Sequence, residues 1–296
     1  KAAMRYGRLI QHHAERRSFA GFKSAVDFLH GGGIGEVYMA KGLCYKWRDT
    51  IGRELEATPP AGVNYDLWLG PASKRPFTGN RFHYNWHWHW DYGNGDLGNQ
   101  GAHQMDIARW GLGVDFPTKV SSLGGHYMFA DDQETANTQV ALFEFPNPQG
   151  KGDKKKLLQF EVRHWITNYE GELGKAPGNN IGNIFYGSDG YLTVDGSGTW
   201  KSYLGRQREP GPSGEGGGDM WANFIAAIRA NDRSKLEGDI TEGHATCSLI
   251  HLANISYRLG RTLDVDPDTQ NIRNDKEAAV LATRNYRNPF VIPGKV

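Results

Sequence analysis

Apolar and polar residues alternate through the middle of the chain and recur with helical spacing towards both ends. "IGEVYMAKGLCY" alternates like a half-buried strand. "KVSSLGGHYMF", "TQVALFEF", "KKLLQFEVRHWI", "GNIFYGSDGYLTVD" and "TWKSYLG" have the same character, with turn residues between them. One connection, "NPQGKGDKKK" from Asn147 to Lys156, reads as the exposed end of a hairpin. Helical spacing marks "SAVDFLHGGG" through Val26, Phe28 and Leu29, and glycines stop it. "GAHQMDIARWGLG" predicts a short helix closed by Gly111 and Gly113. "DMWANFIAAIRAND" predicts a helix capped by Asp219, and "DITEGHATCSLIHLANISYRLG" a longer one ending at Gly260. The first ten residues read as the end of a helix running into a short apolar strand, "RLIQ"; the tail "NPFVIPGKV" reads as irregular. Strands followed by helices predict an α+β fold, with an open, mostly antiparallel sheet carrying helices on one face.

One stretch alternates more strictly than the rest. In "FHYNWHWHWD", Phe82, Tyr84, Trp86, Trp88 and Trp90 share one parity, and His83, Asn85, His87, His89 and Asp91 the other. As a strand it would present rings on one face and hydrogen-bonding groups on the other. Phe82 and Tyr84 are then expected in the core. Trp86, His87 and His89 are candidate walls of a polyol pocket, because a sugar offers C–H faces to rings and hydroxyl edges to polar groups. In "YKWRDTIG", Lys46 and Arg48 share a parity and are candidates to reach a substrate hydroxyl or phosphate.

Composition narrows the partners. The 296 residues carry a formal net charge of +1, which gives no reason to expect a nucleic acid or an acidic membrane surface. No apolar run approaches the roughly 18 residues of a membrane helix. Cys44 and Cys247 fit no paired-ligand spacing and are expected as thiols. The chain opens "KAAMRYGRL" without an initiator Met, so localisation stays open.

Two glycine runs invite nucleotide-binding readings. "GGGIGE" follows a helix and precedes a strand, the reverse of a dinucleotide fingerprint, and has Glu36 in place of the third glycine. "GPSGEGGGDMW" has Gly217 and Gly218 where a phosphate loop needs Lys and Ser or Thr, so it reads as a flexible linker.

"GDLGNQGAHQMDIARW" places Asn99 and His103 four apart on one face of a helix's first turn. Glycines at 95, 98 and 101 are expected to clear the approach to backbone. A helix start favours a neutral His103, able to take a hydroxyl proton or return it to an alkoxide.

The run from Gly93 to Asp106 resembles the G-G-G-x-L-x-D-x-G-x-H-x-x-D signature of the Gfo/Idh/MocA oxidoreductases. So do "AAMRYGRLIQ", "FLHGGGIGEVYMAKGLCYKWR", "YDLWLGPA" and "DRSKLEGDITEGHATCSLIHLANISYRLGR". That resemblance implies the family's C-terminal domain, in which an open sheet often packs against another subunit's. It implies NAD or NADP as cofactor, a sugar, cyclitol or related polyol as substrate, and His103 as the catalytic imidazole beside the nicotinamide, with Asn99 next to it. Lys46, Arg48, Trp86, His87, His89 and Asp106 are then the substrate-binding candidates.

Residues 1–30 would be the remnant of the end of a Rossmann-like domain, and 31–296 the substrate and oligomerisation domain. The family's G-x-G-x-x-G domain and the Lys of its Glu-Lys-Pro motif do not occur in this sequence. Asn99 stands where an acid is usual, and an amide can orient a hydroxyl but not take its proton. "QHHAERRS" has His13 and Glu15 in place of the family's Gly and second Gln. Two alternatives stay open: a cofactor-free sugar-binding or oligomerising scaffold, and a metal-dependent hydrolase or lyase using His87, His89, His103 and Asp106.

Overall fold

Strand β1 (Val37–Lys46) is buried at both parities through its second half, where Leu43, Cys44 and Tyr45 are all sealed from solvent. A half-buried strand would alternate; β1 does not because it lies in the middle of a nine-stranded sheet, with helices over one face and a small apolar cluster against its second half on the other. The computed structural model describes residues 2–12, 14–147, 154–173, 178–292 and 294. Its sheet adds β2 (Lys119–Gly125), β3 (Thr138–Pro146), β4 (Lys155–His164), β5 (Asn180–Gly187), β6 (Gly190–Asp195), β7 (Trp200–Leu204), β8 (Glu209–Gly214) and β9 (Leu263–Asp264). Their spatial order is β8-β7-β6-β5-β1-β4-β3-β2-β9. β1 and β4 run parallel, and every other pairing is antiparallel.

Short helices α1 (Ala2–Arg5) and α3 (Tyr65–Leu69) flank β1 in sequence, and α4 (Gly95–Asn99) leads into α5 (Gly101–Leu112). Helix α2 (Ala20–His30) joins α5 over one face of the sheet. The C-terminal third adds α6 (Met220–Ala230), α7 (Ile240–Leu259) and α8 (Lys276–Leu281). Phe22, Ala25 and Leu29 of α2, Met105 and Ala108 of α5, and Leu249 and Ala253 of α7 share one core with Ala40, Phe143, Phe160 and Phe185. Gly111 lies inside α5, where a Cβ would overlap the Phe185 ring; the helix closes at Gly113, in the left-handed conformation. A smaller cluster of Leu43, Tyr45, Leu173 and Ile184 lies on the opposite face. Asp219 caps α6 through the Trp221 and Ala222 N–H groups, as expected. Both cysteines are free thiols. Among the described residues no helix is long and apolar enough to cross a membrane.

Four local expectations change. Residues His83–Trp88 form a 3-10 helix rather than a strand, so parity sorts nothing: His87, Trp88 and His89 are buried while Tyr84 and Trp86 are exposed. Phe82 does join a ring cluster, with Trp68 and Phe77 at 5.3 and 5.4 Å. That packing overrides the period-2 pattern. "RLIQ" forms no strand, and only Gln11 bridges, to Asp239. The linker expected at "GPSGEGGG" begins inside β8. Asn99 and His103 belong to successive helices, α4 and α5, with Gln100 between them still right-handed. The hairpin end read at Asn147–Lys156 lies mostly outside the described residues, between β3 and β4.

Candidate functional site

The parallel pairing of β1 with β4 sets Lys46 opposite His164 in register, at the carboxyl ends of both strands. The two side chains therefore share one end of the sheet. Here α4 crosses it and delivers Asp96, whose side chain is fully enclosed. Lys46 Nζ lies 3.1 Å from Asp96 Oδ1, and Arg48 Nε lies 3.2 Å from Oδ2. His164 Nε2 contacts Oδ2 at 2.9 Å, and Asn99 Nδ2 donates to Oδ1 at 2.8 Å. Burial pushes the Asp96 carboxyl up. The hydrogen bond with His164 and the charges of Lys46 and Arg48 outweigh it and hold the group well below the usual carboxylate range. Lys46 and Arg48 thus converge on Asp96, which sequence reasoning passed over together with His164. The available signal was spacing: Asp96, Asn99 and His103 fall at i, i+3 and i+7 of nearly continuous helical backbone.

Arg48 extends from Asp96 to the Tyr84 hydroxyl at 2.8 Å and lies over the rings of Tyr84 and Trp88. His87 sits between those rings, with Nδ1 against the Tyr84 carbonyl. Gly93 fixes this placement, since a Cβ there would overlap the His87 backbone. Burial lowers the His87 pKa and favours the neutral ring. Trp86 remains exposed beside His87.

His103 stands on the first turn of α5, its side chain 22% exposed, with Nδ1 4.0 Å from Glu15 Oε1. The neighbouring glycines serve packing rather than ligand approach. A Cβ at Gly95 would lie 2.8 Å from Thr135, one at Gly98 would press on Asn94, and one at Gly101 would meet Met105 and Ile250.

Two expected substrate contacts are reassigned. Both Asp106 oxygens are held by Arg17, at 2.7 and 2.9 Å, and Thr246 Oγ1 adds a third bond at 2.9 Å. Asp106 is buried and fastens the segment before α2 to α5 and α7. His89 is likewise buried, with Nδ1 3.4 Å from Glu134 Oε1, in a loop network with Arg75. Among the described residues no group of three or more His, Cys, Asp or Glu side chains is arranged to hold a metal ion, so the metal-dependent alternative finds no donor set.

The residues from "GGGDM" onward do follow a strand and open a helix, β8 then α6. Yet Gly218 is pressed against the Ser18 carbonyl, and the Gly216 and Gly217 carbonyls accept the Gly21 and Ala20 N–H groups. Asp219 occupies the helix start itself. No phosphate cradle remains there.

A family model described as "Oxidoreductase family, C-terminal alpha/beta domain" matches residues 10–126 and 216–292. No protein of curated function matches the sequence. Among solved structures, the aldose-aldose oxidoreductase from Caulobacter crescentus complexed with glycerol aligns with a TM-score of 0.61 at 13% identity, covering 89% of this chain and 66% of that one. The WlbA dehydrogenase from Bordetella pertussis, in complex with NADH and UDP-GlcNAcA, gives 0.57 at 17% identity, covering 90% and 66%. An oxidoreductase from Agrobacterium radiobacter in complex with NAD+, L-tartaric acid and magnesium gives 0.54 at 13% identity, covering 88% and 66%. At these identities the likeness is one of fold, and the chain spans just under two thirds of each of these structures. The matched segments make up well over half of the sequence, and with the signature around His103 they place the chain in the Gfo/Idh/MocA oxidoreductase family, as a bearer of its C-terminal alpha/beta domain.

Proposed function

We propose that this chain is the substrate-binding, proton-transferring part of an NAD(P)-dependent oxidoreductase acting on a sugar, cyclitol or related polyol. The observation that carries the reading is the placement of His103, partly exposed on the first turn of α5 and continuing the helical face of Asp96 and Asn99. Glu15 lies on the Nδ1 side of the ring, and a neutral imidazole in this position can exchange a proton with a hydroxyl. As an alcohol is oxidised, its hydroxyl proton passes to the His103 imidazole while the carbon's hydrogen departs with its electron pair to the nicotinamide and C=O forms; reduction runs the same path backwards. Asn99 donates Nδ2 to Asp96, which leaves its Oδ1 to orient the hydroxyl. Lys46, Arg48, Trp86 and His87 complete the substrate side. The three solved structures above, with glycerol, a nucleotide sugar and tartaric acid bound, support a small hydroxylated ligand.

The described residues do not fit a dinucleotide, because the one strand–glycine–helix succession is filled by the protein itself. We therefore place the hydride-accepting nicotinamide on a nucleotide-binding unit outside them. Residues 1–30 would lead in from that Rossmann-like unit, with α2 welded to the core of 31–296. A second copy would dock on the open face of the sheet, where Leu123 and Leu142 are exposed and Tyr191 stacks on Tyr203 at 4.7 Å.

The test is nicotinamide reduction by the full protein with a panel of sugars and polyols. His103→Ala should lower kcat about 10²- to 10⁴-fold while leaving sugar binding in place. Unchanged turnover in that variant removes His103 from the chemistry. Sugar binding with no nucleotide binding would favour the scaffold alternative.

A further inference from the structure

The cluster around Asp96 contains more positive charge than the protein neutralises. Lys46 and Arg48 converge on one carboxylate, and among the described residues Asp96 is the only acid bonded to either. Its oxygens are already shared with Asn99 and His164. The Lys46 side chain is 8% exposed, so water does little to screen the surplus. Lys46 Nζ has three N–H donors, and Asp96 takes one.

His87 supplies an independent observation from the same place. The residue is 5% exposed and packed between the two rings that Arg48 covers. Its Nδ1 faces a carbonyl and therefore carries the proton, which makes Nε2 an acceptor. That Nε2 is buried and has no hydrogen-bond partner among the described residues. Buried polar atoms are normally satisfied, so one that is not points to a missing ligand. The cations require an anion, and the imidazole requires a donor such as a hydroxyl. Lys46 and Arg48 both carry N–H donors beyond those that Asp96 takes, and the two oxygens of a carboxylate can accept one from each.

We propose that the Lys46–Arg48–His87 face is a subsite for the carboxylate and neighbouring hydroxyl of a sugar acid, a uronate or an aldonate. For the reacting end of the molecule this rests on the function proposed above. Asp96 and His103 are seven positions apart, a rise of about 10 Å on nearly continuous helical backbone, so the acid group and the reacting carbon lie at opposite ends of the ligand.

Calorimetry on the full protein at constant ionic strength tests this, with D-glucuronate, D-galacturonate and D-gluconate set against D-glucose, D-galactose and a glucose phosphate. At least one acid should bind about 10- to 100-fold more tightly than its neutral counterpart, the range for hydrogen bonds to a charged group. Arg48→Gln and Lys46→Met should narrow that gap to within about twofold. In wild-type protein, acetate should compete with the acid and not with the neutral sugar, a comparison that holds even where a variant fails to fold. Equal affinity for acids and neutral sugars overturns the subsite, as does a preference for the phosphate or an acid preference that survives Arg48→Gln. Turnover is read separately. Acid binding without nicotinamide reduction sinks the proposed reaction alone, and turnover of neutral polyols without acid preference sinks the subsite alone.

Discussion

Replacing Asp106 with asparagine keeps the shape of the side chain and removes its charge from a buried ion pair. Arg17 approaches both carboxylate oxygens, and burial, which would lower its guanidinium pKa, is outweighed by Asp106 so that the value rises. Removing one partner of such a pair costs about 3–5 kcal/mol, because the other charge is left buried. Arg17 keeps a contact with Glu242 at 3.1 Å and lies 4.9 Å over the Trp110 ring, so the loss should fall near the lower end. For a chain of 296 residues the unfolding entropy is about 0.6 kcal/mol per degree, and a loss of about 3 kcal/mol lowers Tm by about 5 °C. Scanning calorimetry and urea titration measure this, and ligand affinity measured below the new Tm should be unchanged. Arg17→Met combined with Asp106→Leu should lie closer to wild type than either single change, since replacing both charges leaves no orphan. If Asp106→Asn melts with the wild type yet loses ligand affinity, Asp106 is a substrate contact and the assignment to packing is wrong.

Two further outcomes follow from the same geometry. Burial pushes the Glu134 carboxyl up, but His89, the Trp90 N–H and Arg75 together hold it down at about 2; Asp239, opposed in the same way by burial, is held at about 2 chiefly by Arg233 and Thr241. Unfolded carboxylates titrate near about 4, so this stability is complete above about pH 5 and lost as pH falls towards about 2. Tm should decline over that window and decline less in Glu134→Gln; an identical acid slope in the variant would exclude Glu134 as a contributor. Gly93→Ala should cost about 1–3 kcal/mol by forcing the His87 turn aside, and an unshifted denaturation midpoint would show that the turn yields freely.

The strands were legible in the sequence because alternation survives wherever one face meets the helices. In β3, Gln139, Ala141, Phe143 and Phe145 turn inward while Leu142 stays exposed. The long helix was legible from Asp239, which caps it, to Gly260, which ends it. The aromatic stretch was not, because its conformation is decided by contacts the local pattern does not contain: Phe82 against Trp68, and Gly93 beneath His87. The same limit hid the hub of the site. Asp96 lies in a glycine run that reads as a turn, and its partners stand 50 and 68 residues away, on β1 and β4. Asp106 misled in the other direction, since the signature that names it does not say whether the carboxylate faces a ligand or an arginine.

What brings those distant residues together is the parallel pairing of β1 with β4. An antiparallel neighbour would send Lys46 and His164 to opposite ends of the sheet; the parallel register places both at one end, under α4. The helical path from Asp96 through Asn99 to His103 then links the charged cluster to the His103 imidazole. Contacts remote from the ligand hold this path in place. The Asn183 amide donates to the Gln104 carbonyl at 2.8 Å, Gly111 lets α5 lie close against β5, and Asp106 secures the segment that bears Glu15. Loosening any of these would move His103 relative to Lys46 and Arg48 without touching a reacting atom. The sheet's one parallel register and the packing of α5 on it are therefore as much a part of the site as the side chains that face a substrate.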